Sequence, residues 1–204
     1  MLSKLIEQLP KAELHLHIEG SLEPELMMQL AQKHGVSLPY KTIAEVEQAY
    51  NFENLQSFLD LYYLGASVLR DEDDFFELMW QYLNHCHEDN VVHTEIMFDP
   101  QTHTERGIGF DVFMPGFKRA LDKANQEWGI TSRLIMCFLR HLPEESALET
   151  LQAATPYLDM ITAVGLDSSE VGNPPENFTQ VFAKAKSLGL LRVAHAGEEG
   201  PPDY

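Results

Sequence analysis

Glu13-Leu14-His15-Leu16-His17-Ile18 decides how the chain is read. Apolar and polar residues alternate through it, as in a β-strand whose successive side chains point to opposite faces. That places His15 and His17 on one face and Leu14, Leu16 and Ile18 on the other. The aliphatic face is expected to pack under helices. The two imidazoles, projecting together near a strand end, have the spacing to share one metal ion. An HxH pair also occurs in ordinary strands, so its meaning depends on the rest of the sequence.

Four further apolar runs follow, at Val91–Phe98, Thr131–Leu139, Ile161–Asp167 and Leu190–His195. Each is apolar at both parities, the pattern of parallel strands covered on both sides. The stretches between them read as helices. Pro24 sits at a first-turn position and Gly35 at a stop. Asn51–Arg70, Asp71–Asp89, Asp111–Trp128, Glu144–Leu158 and Pro175–Leu188 complete the series. Asp71-Glu72-Asp73-Asp74 suits a helix N-terminus, where the macrodipole favours negative charge. Strand followed by helix, repeated, predicts an α/β fold with a parallel sheet. No GxGxxG follows the first strand, which argues against a dinucleotide-binding sheet. Histidines at strand ends favour a (β/α)8 TIM barrel, whose sites gather at that face.

The fifth run ends Val193-Ala194-His195-Ala196-Gly197-Glu198. It offers a third imidazole at a strand end and a carboxylate three residues later. Taken alone, this is also how a turn with a solvated glutamate reads. Beside the HxH pair, it supplies a third nitrogen ligand and a group placed for proton transfer. His85 and His87 flank Cys86, and residues two apart on a helix do not share a face, so no metal site is expected there. His93 reads as a strand histidine and His103 as loop packing or pocket lining after the second strand. Phe58, Leu61 and Tyr62 form an apolar helical stripe.

Composition narrows the partners. The 204 residues carry 32 acidic against 14 Lys and Arg, a formal charge of −18. No basic patch is available to displace counterions from a nucleic acid or to hold an anionic membrane. Two cysteines 51 positions apart make no disulfide framework, and no signal peptide is apparent, so a cytoplasmic protein is expected.

Leu9-Pro10-Lys11-Ala12-Glu13-Leu14-His15-Leu16-His17-Ile18-Glu19-Gly20-Ser21 and Ala194-His195-Ala196-Gly197-Glu198-Glu199-Gly200-Pro201-Pro202-Asp203-Tyr204 resemble the adenosine/adenine deaminase family of the amidohydrolase barrels. Arg140-His141 and Gly165-Leu166-Asp167 match further landmarks. The resemblance extends along essentially the whole chain. It implies that His15, His17 and His195 are zinc ligands, with one Zn2+ per subunit, and that Glu198 protonates N1 of a purine. It further implies that zinc acidifies a water to attack C6, with ammonia leaving. Glu19, Gly20 and Asp167 are the implied substrate-binding residues. Nucleoside-deaminating members carry Asp at the position of Glu19. This glutamate, Ser168–Gly172 and Glu199–Pro202 look like the adenine deaminase branch, so a small-molecule purine, free adenine, is the expected substrate.

Adenosine or another 6-aminopurine is the alternative, and a non-catalytic zinc-binding fragment is a third reading. Oligomeric state stays open. The HxE and PCxxC pattern of nucleic-acid deaminases is absent. The family's site also needs a histidine after a sixth strand and an Asp-Asp pair after an eighth. Eight units would take roughly 320–330 residues. Residues 1–204 are therefore expected to be a single N-terminal portion of the catalytic barrel, about its first five strand–helix units, and to be inactive alone.

Overall fold

The computed structural model describes residues 2–204. Its elements run α1 (Leu2–Gln8), β1 (Lys11–His17), α2 (Pro24–His34), α3 (Ile43–Ala49), α4 (Leu55–Ala66), α5 (Glu72–Glu88) and β2 (Val91–Phe98). They continue with α6 (Pro100–Thr104), α7 (Phe110–Trp128), β3 (Thr131–Leu139), α8 (Glu144–Ala153), β4 (Ile161–Asp167), α9 (Thr179–Ser187) and β5 (Leu191–Arg192). A 3₁₀ turn, Ile18–Ser21, leads out of β1, and two others follow α8 and precede α9.

All four strand pairings are parallel, in the order β1-β2-β3-β4-β5. Parallel neighbours need crossovers, and the helices supply them. Strands β2, β3 and β4 divide their side chains between two layers. Ile96, Phe98, Leu134, Met136, Phe138, Val164 and Leu166 join the main core beneath the helices. Met97, Ile135, Cys137 and Ala163, at the opposite parity, form a separate buried cluster on the inner face. Two buried layers explain why the strands are apolar at both parities, and the inner layer is the packed interior of a barrel wall.

Helix boundaries follow local chemistry. Asp71 caps α5 by accepting from the Asp74 N–H, and Asp74 returns the bond to the Asp71 N–H. Asn54 and Ser57 make the same reciprocal pair at the start of α4. Asp74 is no surface charge. It is fully buried, with Lys33 Nζ and His34 Nε2 each 2.7 Å away.

The strand positions of the first and last runs needed correction. Leu14 does not pack under a helix but is 58% exposed: the register of β1 against β2 shifts between Glu13 and Leu16, so the alternation is interrupted there. The fifth run keeps regular pairing only at Leu191–Arg192, although the Val193 and His195 N–H groups still donate to Val164 O and Leu166 O. The described residues include no helix long and apolar enough to cross a membrane.

Candidate metal and purine site

The inner face of the sheet turns polar at its C-terminal end. His17 in β1 is paired with Met97 in β2, and Asp167 in β4 with Leu139 in β3. His15, His17, Asp99 and Asp167 continue the parity of the inner layer, so the pleat delivers all four to the barrel mouth. His195 arrives from the segment after β5. The curvature of the sheet brings the first and fifth strands' ends together there. His15 Nε2 lies 2.9 Å from His195 Nε2 and 3.3 Å from His17 Nε2, and the His17–His195 distance is 3.1 Å.

The partners of the other ring nitrogens fix the chemistry of this triangle. His195 Nδ1 lies 3.2 Å from Glu198 Oε2, and His17 Nδ1 lies 3.3 Å from Asp167 Oδ2. The Glu198 carboxylate accepts, so His195 Nδ1 carries hydrogen and its Nε2 presents a bare lone pair. Burial and the neighbouring imidazoles hold His15 and His195 below the usual histidine range, which favours the same neutral form. Lone pairs converging at these distances repel unless a cation lies among them. Tetrahedral zinc holding imidazoles at 2.0–2.1 Å sets its nitrogens about 3.3 Å apart. The donor set therefore fits such an ion.

The carboxylates behind the triangle are also unusual. Neither oxygen of Asp167 has a hydrogen-bond partner, and Asp99 Oδ1 has none; the His17–Asp167 approach is close without being a formed hydrogen bond. Burial pushes the Asp167 carboxyl up to about 7. Burial, with Asp167 and Glu19 nearby, raises Asp99 as well. Buried carboxylates without donors are costly, and a cation beside them offsets that cost.

Glu19 and Gly20 are placed differently from the other expected site residues. The cavity at the triangle has a volume of about 220 Å³. It is lined by Leu55, Phe58, Leu59, Tyr62 and Tyr63 of α4 together with the three histidines, Asp99, Asp167, Ser168 and Glu198, but not by Glu19 or Gly20. Glu19 is buried behind it. Its Oε1 accepts from His103 Nε2 at 2.8 Å and the Asp99 N–H at 3.1 Å, and its Oε2 from the Tyr62 hydroxyl. Burial pushes this carboxyl up, but the His103 contact and the Asp99 N–H prevail and hold it low. Arg106 Nη2 donates to His103 Nδ1, which leaves the Nε2 hydrogen for Glu19. Glu19 has no oxygen left free to meet a ligand. Its carboxylate instead anchors Tyr62, whose hydroxyl also reaches Asp99 Oδ2 at 2.7 Å.

Sequence reasoning gave no site role to Asp99 or Tyr63, and took Ser168 and Glu170 only as part of a stretch that resembles the adenine deaminase branch. Asp99 directly follows β2, the same strand-end position that singled out His17 and His195, and that position was its available signal. Tyr63 hydrogen-bonds Ser168, which also meets His141 Nδ1, and all three come from separate segments. His85 and His87 are exposed on α5 and away from the cluster. His103 is fully buried.

Comparison with known proteins agrees with this geometry. Residues 10–204 match the family model described as adenosine deaminase. An adenine deaminase of Acinetobacter baylyi is 61% identical over 202 residues, covering 99% of this chain and 61% of its own length. One from Vibrio parahaemolyticus is 62% identical over 200 residues, covering 98% and 59%. The crystal structure of an adenine deaminase from Arthrobacter aurescens superposes with a TM-score of 0.92 at 47% identity, over 96% of this chain and 60% of that one. A Burkholderia ambifaria amidohydrolase solved with bound Zn shares the fold, with a TM-score of 0.85 at 24% identity over 95% of this chain and 54% of its own. The chain spans about 60% of the length of the curated relatives it matches. With its inner-face histidines converging at the mouth of a parallel barrel wall, the chain belongs to the adenosine deaminase family.

Proposed function

We propose that the protein carrying this chain hydrolyses adenine to hypoxanthine and ammonia with one zinc ion per subunit. The observation that carries the reading is the triangle of Nε2 atoms 2.9–3.3 Å apart, with the Glu198 carboxylate against one of its rings. His15, His17 and His195 are the residues that would hold the metal. Bound there, zinc would supply the acidification of water that makes a nucleophile at neutral pH.

The chain's own side chains do the rest. Asp167 lies beside His17 Nδ1, the ring nitrogen turned away from the centre, while Nε2 faces the other two rings. Glu198 lies on the cavity wall and delivers a proton to N1 of the ring as water adds to C6. The proton that Glu198 passes to N1 is the one water gives up as its oxygen bonds to C6; the C6–N bond then breaks, the amino group leaves as ammonia with the proton of the new C6 hydroxyl, and C6 keeps the oxygen as a carbonyl. Leu55, Phe58, Leu59 and the Tyr62 ring give a flat heteroaromatic base an apolar wall and keep bulk water away from the reacting carbon.

Free adenine is favoured over adenosine by the names of relatives at 61–62% identity. Glu19, bonded to His103 and Tyr62, does not line the cavity, so it is not placed to meet a ribose hydroxyl there. It acts at one remove, through Tyr62. Purine salvage in the cytoplasm is the setting this reading implies. Steady-state kinetics of the native-length protein test it: kcat/KM is expected to be larger for adenine than for adenosine, and the reverse order overturns the substrate assignment.

A further inference from the structure

Glu170 is fully buried in the loop after β4, yet it takes no part in the chemistry above. Its Oε1 accepts from the Gly197 N–H at 2.8 Å, and its Oε2 from the Glu199 and Gly200 N–H groups at 2.7 Å each. Arg140, also buried, lies 3.7 Å from Oε1. The same guanidinium donates to His195 O at 3.0 Å and, through Nε, to Asn173 O at 2.8 Å. The backbone on both sides of Glu198 is thus gripped by one carboxylate, and the carbonyl of His195 by that carboxylate's counter-ion.

Successive N–H groups that turn to one side form a concavity for an anion. Here the protein fills the concavity from within. Burial works against ionisation of Glu170, but the Gly200, Glu199 and Gly197 N–H groups and Arg140 overcome it and hold the carboxyl down to about 2. The fit is close. A Cβ on Gly200 would stand 2.7 Å from Glu170 Cδ, and Gly197 has a φ of +73°. No strand pairing stabilises this segment beyond His195, because regular β5 stops at Arg192.

We infer that Glu170 is a positioning residue which, through the Gly197, Glu199 and Gly200 N–H groups and Arg140, sets where His195 and Glu198 stand. The inference rests on the metal-ligand and proton-donor roles proposed for those two residues. It predicts that loss of the charge loosens the loop and the metal site together while the rest of the fold holds. Glu170→Gln keeps the shape but turns an NH2 group toward N–H donors.

The test uses the native-length protein. Zinc affinity is measured by chelator competition, and amide exchange is followed in the metal-free form. Asp74→Asn is the control, since it removes another buried carboxylate that collects N–H groups, on α5 and outside the residues that line the cavity. Glu170→Gln is expected to weaken zinc roughly 10–100-fold, the range for partners behind a ligand shell. It should also speed exchange at positions 197, 199 and 200, with Asp74→Asn changing neither. Gly200→Ala, which crowds the carboxylate from the other side, should move both readouts in the same direction and serves if Glu170→Gln does not fold.

Zinc binding and exchange at wild-type levels in the substituted loop would overturn the positioning role alone, as would an equal zinc loss in Asp74→Asn. Zinc affinity unchanged when His15, His17 and His195 are each replaced by alanine would overturn the functional reading beneath it.

Discussion

His17 shows how one side chain serves two neighbours. Its Nε2 faces two other imidazoles, and its Nδ1 faces Asp167. The pair His15 and His17 was legible because a strand's two-residue period is strict, and His195 and Glu198 because they are close in sequence. The surroundings were not. Glu19 read as a substrate contact, but its environment is made by Tyr62 and His103, which lie 43 and 84 positions away. No local pattern announces such partners. Glu198 belongs to the readable set, and Glu198→Gln keeps an oxygen that can accept from His195 Nδ1, so the substitution tests the proton role with the ligand's partner retained. Glu198→Gln in the native-length protein is expected to lower kcat about 10²–10⁴-fold, the usual worth of a positioned acid, with zinc content unchanged. Steady-state rates alongside elemental analysis check it, and full activity in the variant would remove Glu198 from the chemistry.

Among the elements, long strands and helices were read to within a few residues, because apolar periodicity persists over their length. Strands β2, β3 and β4 begin and end where their apolar runs do. The short helices α1, α3 and α6 were missed, since five to seven residues hold too few turns to show a period. Strand β5 was read too long because its apolar residues continue past the point where regular pairing stops. Helices α5 and α7 approach closely. A Cβ on Gly116 of α7 would lie 2.5 Å from Glu72 O and 3.0 Å from both Phe75 Cβ and Phe76 N. Backbone cannot yield as a flexible side chain can. Gly116→Ala is therefore expected to destabilise the fold by about 1–3 kcal/mol, the cost of overpacking a filled core. Urea unfolding measures this, and an unchanged midpoint would mean that the two helices separate without cost.

Over the whole molecule, curvature turns scattered residues into a site. Strands β1 and β5 stand at opposite ends of the sheet order, yet His15 and His195 meet at 2.9 Å. A flat sheet could not bring them together, since neighbouring strands lie about 4.8 Å apart and these two are separated by three others. The strand–helix alternation made the parallel sheet legible, and the histidines at strand ends made the barrel mouth legible. The degree of bending was not, because it depends on how Met97, Ile135, Cys137 and Ala163 fill the inner face. Charge belongs to this scale as well: the net −18 of these 204 residues disfavours their association with polyanions. The most direct measurement is zinc-edge X-ray absorption of the zinc-loaded protein and of its His195→Ala variant. Wild type should show a shell of imidazole nitrogens at about 2.0–2.1 Å, and the variant should lose one imidazole from it. An identical spectrum in the variant would contradict convergence of the three rings on one ion.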